Sequence, residues 1–243
     1  MAFKVIAATD SGYSMEVCYQ SLNMKMRAGD LGIEMNSEKS DSLDIASQIV
    51  KAMMNKPFNI TITKSGRVRS VNNVENMIEG VFDSFPQIEA AKKMQIKSQF
   101  IQTFGAKALK GNLEIGTAIF PESPVAKNDT WLVNTKLESI TTADMQTTYQ
   151  LIDATGNSYQ IHGEGIINND KNAGITTMDG LPVIYKLNGT TLLDIKADKA
   201  TGWVTELKLR QLIKGSVEIQ DNAKAPGGLT IPMIIKIEQT TTN

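Results

Sequence analysis

The sequence predicts an α+β fold in which a large, curved, half-barrel-like antiparallel sheet packs on two or three helices. Three observations carry it. Residues 3–36 alternate like strands between turns, residues 41–111 space their apolar side chains like helices around one hairpin, and the chain beyond residue 130 is a run of hairpins. Strands first, helices next and strands last is the order of domains that hold their helices on one face of an antiparallel sheet.

In the first stretch, Asp10-Ser11-Gly12 and Ala28-Gly29-Asp30 are turn chemistry, so 3–8, 13–27 and 31–36 are predicted to be paired strands. A helix follows, with Asp41 or Ser42 as cap and Leu43, Ile45, Ala46, Ile49, Val50, Met53 and Met54 near helical spacing; Pro57 requires that it end by Asn55. Phe58 to Thr63 alternates strictly and turns at Lys64-Ser65-Gly66, so a hairpin returns through Val68 and Val71.

Asn72 followed by Glu75 has the spacing of a capping box, and Val74, Met77, Ile78, Val81, Phe82 and Phe85 then mark one apolar helical face. Pro86 sits where a first helical turn tolerates proline, which predicts another helix bearing Ile88, Ala91, Phe100, Ile101, Phe104 and Leu109 up to Gly111. Phe120-Pro121-Glu122-Ser123-Pro124-Val125 is an extended connector. It divides one domain, residues 1–243, into a strand-and-helix lobe (1–119) and an all-strand lobe (120–243). In the second lobe Trp131–Ile140, Met145–Ile152, Ser158–Ile167, Leu181–Ala197, Trp203–Gln220 and Leu229–Thr240 are predicted strands.

Composition narrows the function. Lys plus Arg number 25 against 26 Asp plus Glu, so no global field draws in nucleic acid or an anionic membrane. The basic cluster Lys64, Arg67 and Arg69 surrounds a turn and reads as a solvated hairpin tip. Cys18, the sole cysteine, cannot close an internal disulfide and lies in an alternating strand run, where it serves as apolar filler. No run approaches the ~18 consecutive apolar residues of a membrane span. The chain starts inside a strand, which fits a natural start, with any export signal, that lies upstream.

The catalytic inventory is short. His162 is the only histidine and shares a strand face with Gln160 and Glu164, where a solvated or singly bonded imidazole is expected; a hydrolase built on it is the third-ranked reading. One Cys and one His cannot make a zinc site, and Asn168-Asn169-Asp170-Lys171-Asn172 lacks the glycine and closing glutamate of a calcium loop. No glycine cluster opens a helix after a strand, so no phosphate cradle is expected either. The reading is therefore non-enzymatic, with neither metal nor cofactor. Chemically, what remains is oily: Met24, Met26 and Met35 on the early strands, with Phe82, Phe85 and Phe100 on the helices, are the candidate lining of an apolar-ligand site.

Several segments in order carry a resemblance. Lys56-Pro57-Phe58-Asn59-Ile60-Thr61-Ile62 leads to Lys64-Ser65-Gly66-Arg67-Val68; then come Phe120 to Val125, Asp129-Thr130-Trp131, and Asp198-Lys199-Ala200-Thr201-Gly202-Trp203. The chain resembles a family of uncharacterised exported or lipid-anchored bacterial proteins, mostly of Bacteroidetes, that carry a domain of unknown function. Here Lys127-Asn128-Asp129 stands where that family commonly has a glycine before the Asp. The resemblance implies a periplasmic or cell-surface location and transfers no catalytic residue; a likeness to half-barrel carriers of lipids and lipoproteins is an analogy of fold. Two functions follow as expectations: an envelope-associated binding domain for an apolar ligand or lipid, or a structural module that binds an envelope protein through an exposed sheet edge.

Overall fold

The computed structural model describes residues 1–28, 31–41, 43–138, 142–154, 156–169, 174–178 and 180–242. The chain divides into two compact units, Met1–Leu113 and Glu114–Asn243. It is α+β, with every strand pairing antiparallel among the described residues.

In the first unit, β1 (Ala2–Thr9), β2 (Gly12–Cys18), β5 (Phe58–Thr63) and β6 (Val68–Asn72) form a sheet in the order β1-β2-β5-β6. The stretch expected to be one strand over 13–27 is two. It breaks at 19–22, and its second half, β3 (Asn23–Ala28), pairs with β4 (Leu31–Asn36) as a separate hairpin. The break has a physical use: Tyr19 turns inward against Phe58 and Phe104, with ring centroids 6.1 and 6.2 Å apart, and its carbonyl accepts the Asn55 N–H.

Helix α1 (Ile45–Met53) is capped one turn later than expected. Asp44, not Asp41, accepts the Ser47 N–H at 3.1 Å; Ser42 lies outside the described residues. Lys39 bonds the same carboxylate, and that bond, with those from Ser47, holds Asp44 down to about 2. Leu43 therefore precedes the helix and is 88% exposed, whereas its spacing predicts a place on the apolar face. The Ser47 hydroxyl, fully buried, also takes the Asn36 N–H and so ties α1 to β4.

The capping box expected at Asn72 and Glu75 does not form. Helix α2 (Val74–Asp83) starts behind Asn73 in the left-handed conformation, φ 67°, without a side-chain cap. Glu75 instead accepts the Ala106 N–H at 2.9 Å. That contact explains a second difference: the helix expected to run from Pro86 to Gly111 is broken at Gly105, giving α3 (Ala90–Phe104) and α4 (Ala106–Thr117). Gly105 is extended, φ −73° and ψ 173°, and Glu75 supplies the acceptor that a fresh helix start lacks. Val74, Ile78, Val81 and Phe82 are buried on the inner face of α2, and Phe82 meets Phe100 edge to face and Phe100 meets Phe104 at a tilt, with ring centroids 5.6 and 5.3 Å apart.

Among the described residues, the strands of the second unit form one seven-stranded sheet. Its order is β13 (Leu229–Thr242), β12 (Val204–Ile219), β11 (Leu181–Asp198), β9 (Ser158–Asn169), β8 (Thr142–Asp153), β7 (Thr130–Glu138), with the short β10 (Thr176–Met178) on β11. Among the described residues the sheet is open, ending on β13 and β7. Ile115 and Ile119, at the end of α4, belong to its core, and Phe120 and Val125 of the connector pack against that core. Trp131 stacks on Tyr149 at 5.9 Å and donates its indole N–H to the Ile119 carbonyl at 2.8 Å, which fixes the connector to the sheet.

Two of the resemblance motifs form turns. Asp198 accepts the Thr201 N–H and hydroxyl at 2.9 and 2.7 Å, while Gly202 takes φ 70°. The Thr201 hydroxyl is the main reason the Asp198 carboxyl stays below its ordinary value. Asn128, before Asp129, adopts φ 72°, the left-handed backbone that asparagine tolerates better than most residues.

Candidate functional site

The residues singled out as an apolar lining divide by fate. Phe82 and Phe100 are 1% and 6% exposed and pack against each other; Met35 is buried on β4, opposite half-buried Met24. Phe85 is half-buried just past α2, and the side chain of Met26 lies outside the described residues. Phe82 and Phe100 meet edge to face, with ring centroids 5.6 Å apart.

His162 sits on the outer face of the seven-stranded sheet, directly across from Asp194 on β11. Its Nδ1 lies 2.7 Å from Asp194 Oδ1, and its Nε2 3.4 Å from Glu164 Oε1, because residues two apart on one strand share a face. Arg210 Nη2 approaches the other Asp194 oxygen at 3.9 Å. The Asp194 bond, reinforced by Glu164 and opposed by partial burial, raises the imidazole above its ordinary value. An acyl-transfer mechanism needs a hydroxyl or thiol at one ring nitrogen and an acid at the other; here both ring nitrogens face carboxylates. The cluster is an ion-pair row on a solvated sheet face.

The opposite, inner face is chemically unlike it. Among the described residues, no inward position on β7, β8, β9, β11, β12 or β13 carries a charge. Through its middle runs one row that is not apolar: Thr147 on β8, Gly165 on β9, Thr191 on β11 and Gln211 on β12 are cross-strand neighbours. Thr135 lies on the same face of β7. The hydroxyls of Thr135, Thr147 and Thr191 are buried and have no hydrogen-bond partner among the described residues, and the Gln211 amide reaches the Met145 sulfur at 3.8 Å. Glycine at 165 is what lets the row close: a Cβ there would lie 2.6 Å from both Thr147 Oγ1 and Thr191 Cγ2. Sequence reasoning passed over this row. The available signal was threonine on the apolar phase of β8, between Met145 and Tyr149.

The second feature is the edge strand β13. Among the described residues it pairs with β12 alone. Leu229, Ile231, Ile234 and Ile237 are 55%, 40%, 60% and 37% exposed, while Met233 and Ile235 pack on the core. Pro232 interrupts its donors, and Lys236 and Glu238 stand together on its outer face. A long, apolar, unpaired edge is a template for strand addition. A hollow of about 360 Å³ at the β12–β13 turn, lined by Glu218, Gln220, Asp221 and Thr230 among others, is polar.

A profile of the DUF6263 family, a family of unknown function, matches residues 10–204. No curated protein and no solved structure matches the chain. The matched region runs from the β1–β2 turn to the first residue of β12, so β13 lies beyond it. It covers well over half the chain, with the Pro-Phe strand, the Phe-Pro connector and the Asp-x-x-Thr-Gly hairpin inside it, and the protein belongs to the DUF6263 family.

Proposed function

We propose that this chain is a non-enzymatic binding domain of the bacterial cell envelope that takes a protein partner by strand addition on β13. The observation that carries the reading is the exposure of four large apolar side chains on an unpaired edge. Backbone N–H and C=O groups on such an edge supply affinity, and side chains on alternate faces supply selectivity. The resemblance to exported or lipid-anchored proteins supports an envelope setting. A photo-crosslinking residue at Ile234 tests the binding mode in living cells. Strand addition predicts a product whose partner peptide runs along β13, and none from the same residue at exposed Thr148 in β8, a strand paired on both sides; equal yields from both positions, or none from either, would sink it.

A second reading, an apolar ligand or lipid carried on the inner sheet face, is favoured by one observation: buried hydroxyls without partners on a face free of charge. Such a site suits an uncharged ligand with a hydrogen-bonding group, which would displace the connector residues packed there. Native mass spectrometry with a hydrophobic-dye titration tests it. Neither a co-purified ligand nor saturable binding removes the carrier, and leaves the strand-addition reading standing.

A further inference from the structure

We infer that the strand added to β13 is β13 of a second copy of this chain, paired antiparallel with Ile237 on the two-fold axis. This rests on the strand-addition reading and names its partner. When two copies of one strand pair about a two-fold axis perpendicular to the sheet, each residue faces the one equally far beyond the axis, and the pleat requires the axis to pass through a residue. The charges on β13 then discriminate among registers. An axis at Lys236 or Glu238 sets like charges opposite each other, and one at Ile235 sets Lys236 against Ile234. An axis at Ile237 sets each Lys236 against the partner's Glu238, twice over.

Both charges are exposed and lie on the same face, Lys236 opposite Leu212 and Glu238 opposite Arg210 of β12, and among the described residues neither lies within ion-pair distance of an opposite charge. The same register places Ile237, 37% exposed, against its own copy and sets Ile234, 60% exposed, opposite Thr240. Pro232, which has no N–H to donate, falls opposite Thr242, five residues from the axis.

The test is sedimentation velocity of the full chain over a concentration series, with circular dichroism to show that each variant is folded. Wild type is expected to dimerise. K236E and E238K each turn two attractive pairs into two repulsive ones and are expected to dimerise at least about tenfold more weakly. The K236E/E238K double variant restores the pairs and the affinity. An equal mixture of the two single variants forms a mixed dimer, because the two acidic side chains of one copy then meet the two basic side chains of the other. Monomeric wild type, single variants that associate as tightly as wild type, or a double variant that fails to recover each overturns the inference. Open-ended growth also overturns it, since β13 against the β7 edge makes a chain of subunits rather than a closed pair. A monomeric wild type whose Ile234 position still cross-links along β13 to another protein defeats self-pairing and spares strand addition; a monomer without cross-links defeats both.

Discussion

Replacing Thr191 by valine is expected to stabilise the protein. Thr191 is 1% exposed at the centre of the seven-stranded sheet, and its hydroxyl has no partner among the described residues. A buried hydroxyl left unpaired costs about 1–3 kcal/mol. Exchange for a methyl group removes that cost and adds about 0.8 kcal/mol of apolar transfer. Fitting the larger methyl into a packed face returns about 1–2 kcal/mol as strain. The net expectation is a gain of about 1–2 kcal/mol, or about 2–8 °C in Tm for a chain of this size. Urea denaturation with an unchanged m-value measures the first figure and calorimetry the second. Thr191→Ser is the control. It keeps the hydroxyl but removes the methyl that leans over Gly165, and is expected to lose about 1 kcal/mol. If Thr191→Val is destabilised by about 1 kcal/mol or more, the scale of a lost hydrogen bond, the hydroxyl has a partner and the row of orphaned polar groups is refuted.

Other substitutions probe neighbouring steps. Gly165→Ala puts a Cβ 2.6 Å from two side chains and is expected to cost about 1–3 kcal/mol in urea unfolding; a neutral result would mean that Thr147 and Thr191 are not held over the glycine. The His162 midpoint, followed by NMR, is expected above the ordinary imidazole value and to fall in Asp194→Asn. A raised folded value means that the Asp194 contribution to stability is fully present below the unfolded imidazole value and is lost as pH rises through the folded one. The wild type and Asp194→Asn should therefore converge in stability on the alkaline side, and a gap that widens there would refute the assignment. Glu75→Ala removes the acceptor at the start of α4 and is expected to cost about 0.5–1 kcal/mol, with faster amide exchange at Ala106; an unchanged Ala106 rate would show that the contact holds nothing.

The hairpins of the second unit were legible to within a few residues. Thr142 to Asp153 buries alternate residues, and so does Ser158 to Asn169, as their sequence alternation requires. The apolar stripe of α2 was legible for the same reason: Val74, Ile78, Val81 and Phe82 repeat at the helical period and are buried. What failed was punctuation. Asn72 and Glu75 have capping-box spacing, yet Glu75 bonds Ala106, 31 residues away, and no local pattern encodes a partner at that distance. The 13–27 run reads as one strand because nothing between Cys18 and Asn23 breaks β propensity; the break comes from Tyr19 packing on Phe58 and Phe104. The site residues followed the same division. Met35, Phe82 and Phe100 were recognisably apolar and buried, but whether oily side chains fill a core or line a hollow depends on their neighbours in space.

Periodicity, turn chemistry and composition determined the antiparallel α+β class, the element order, the inward phase of each strand, and the apolar character of β13, because each depends on residues near one another in the chain. Tertiary structure decided which strand ended up at the edge and that Thr147, Gly165 and Thr191, from three separate strands, became one row. It also set the carboxylates of Asp194 and Glu164 on the two nitrogens of His162. Register between distant strands is fixed by the sum of many weak side-chain contacts across the whole sheet, and that sum is not written in any single segment.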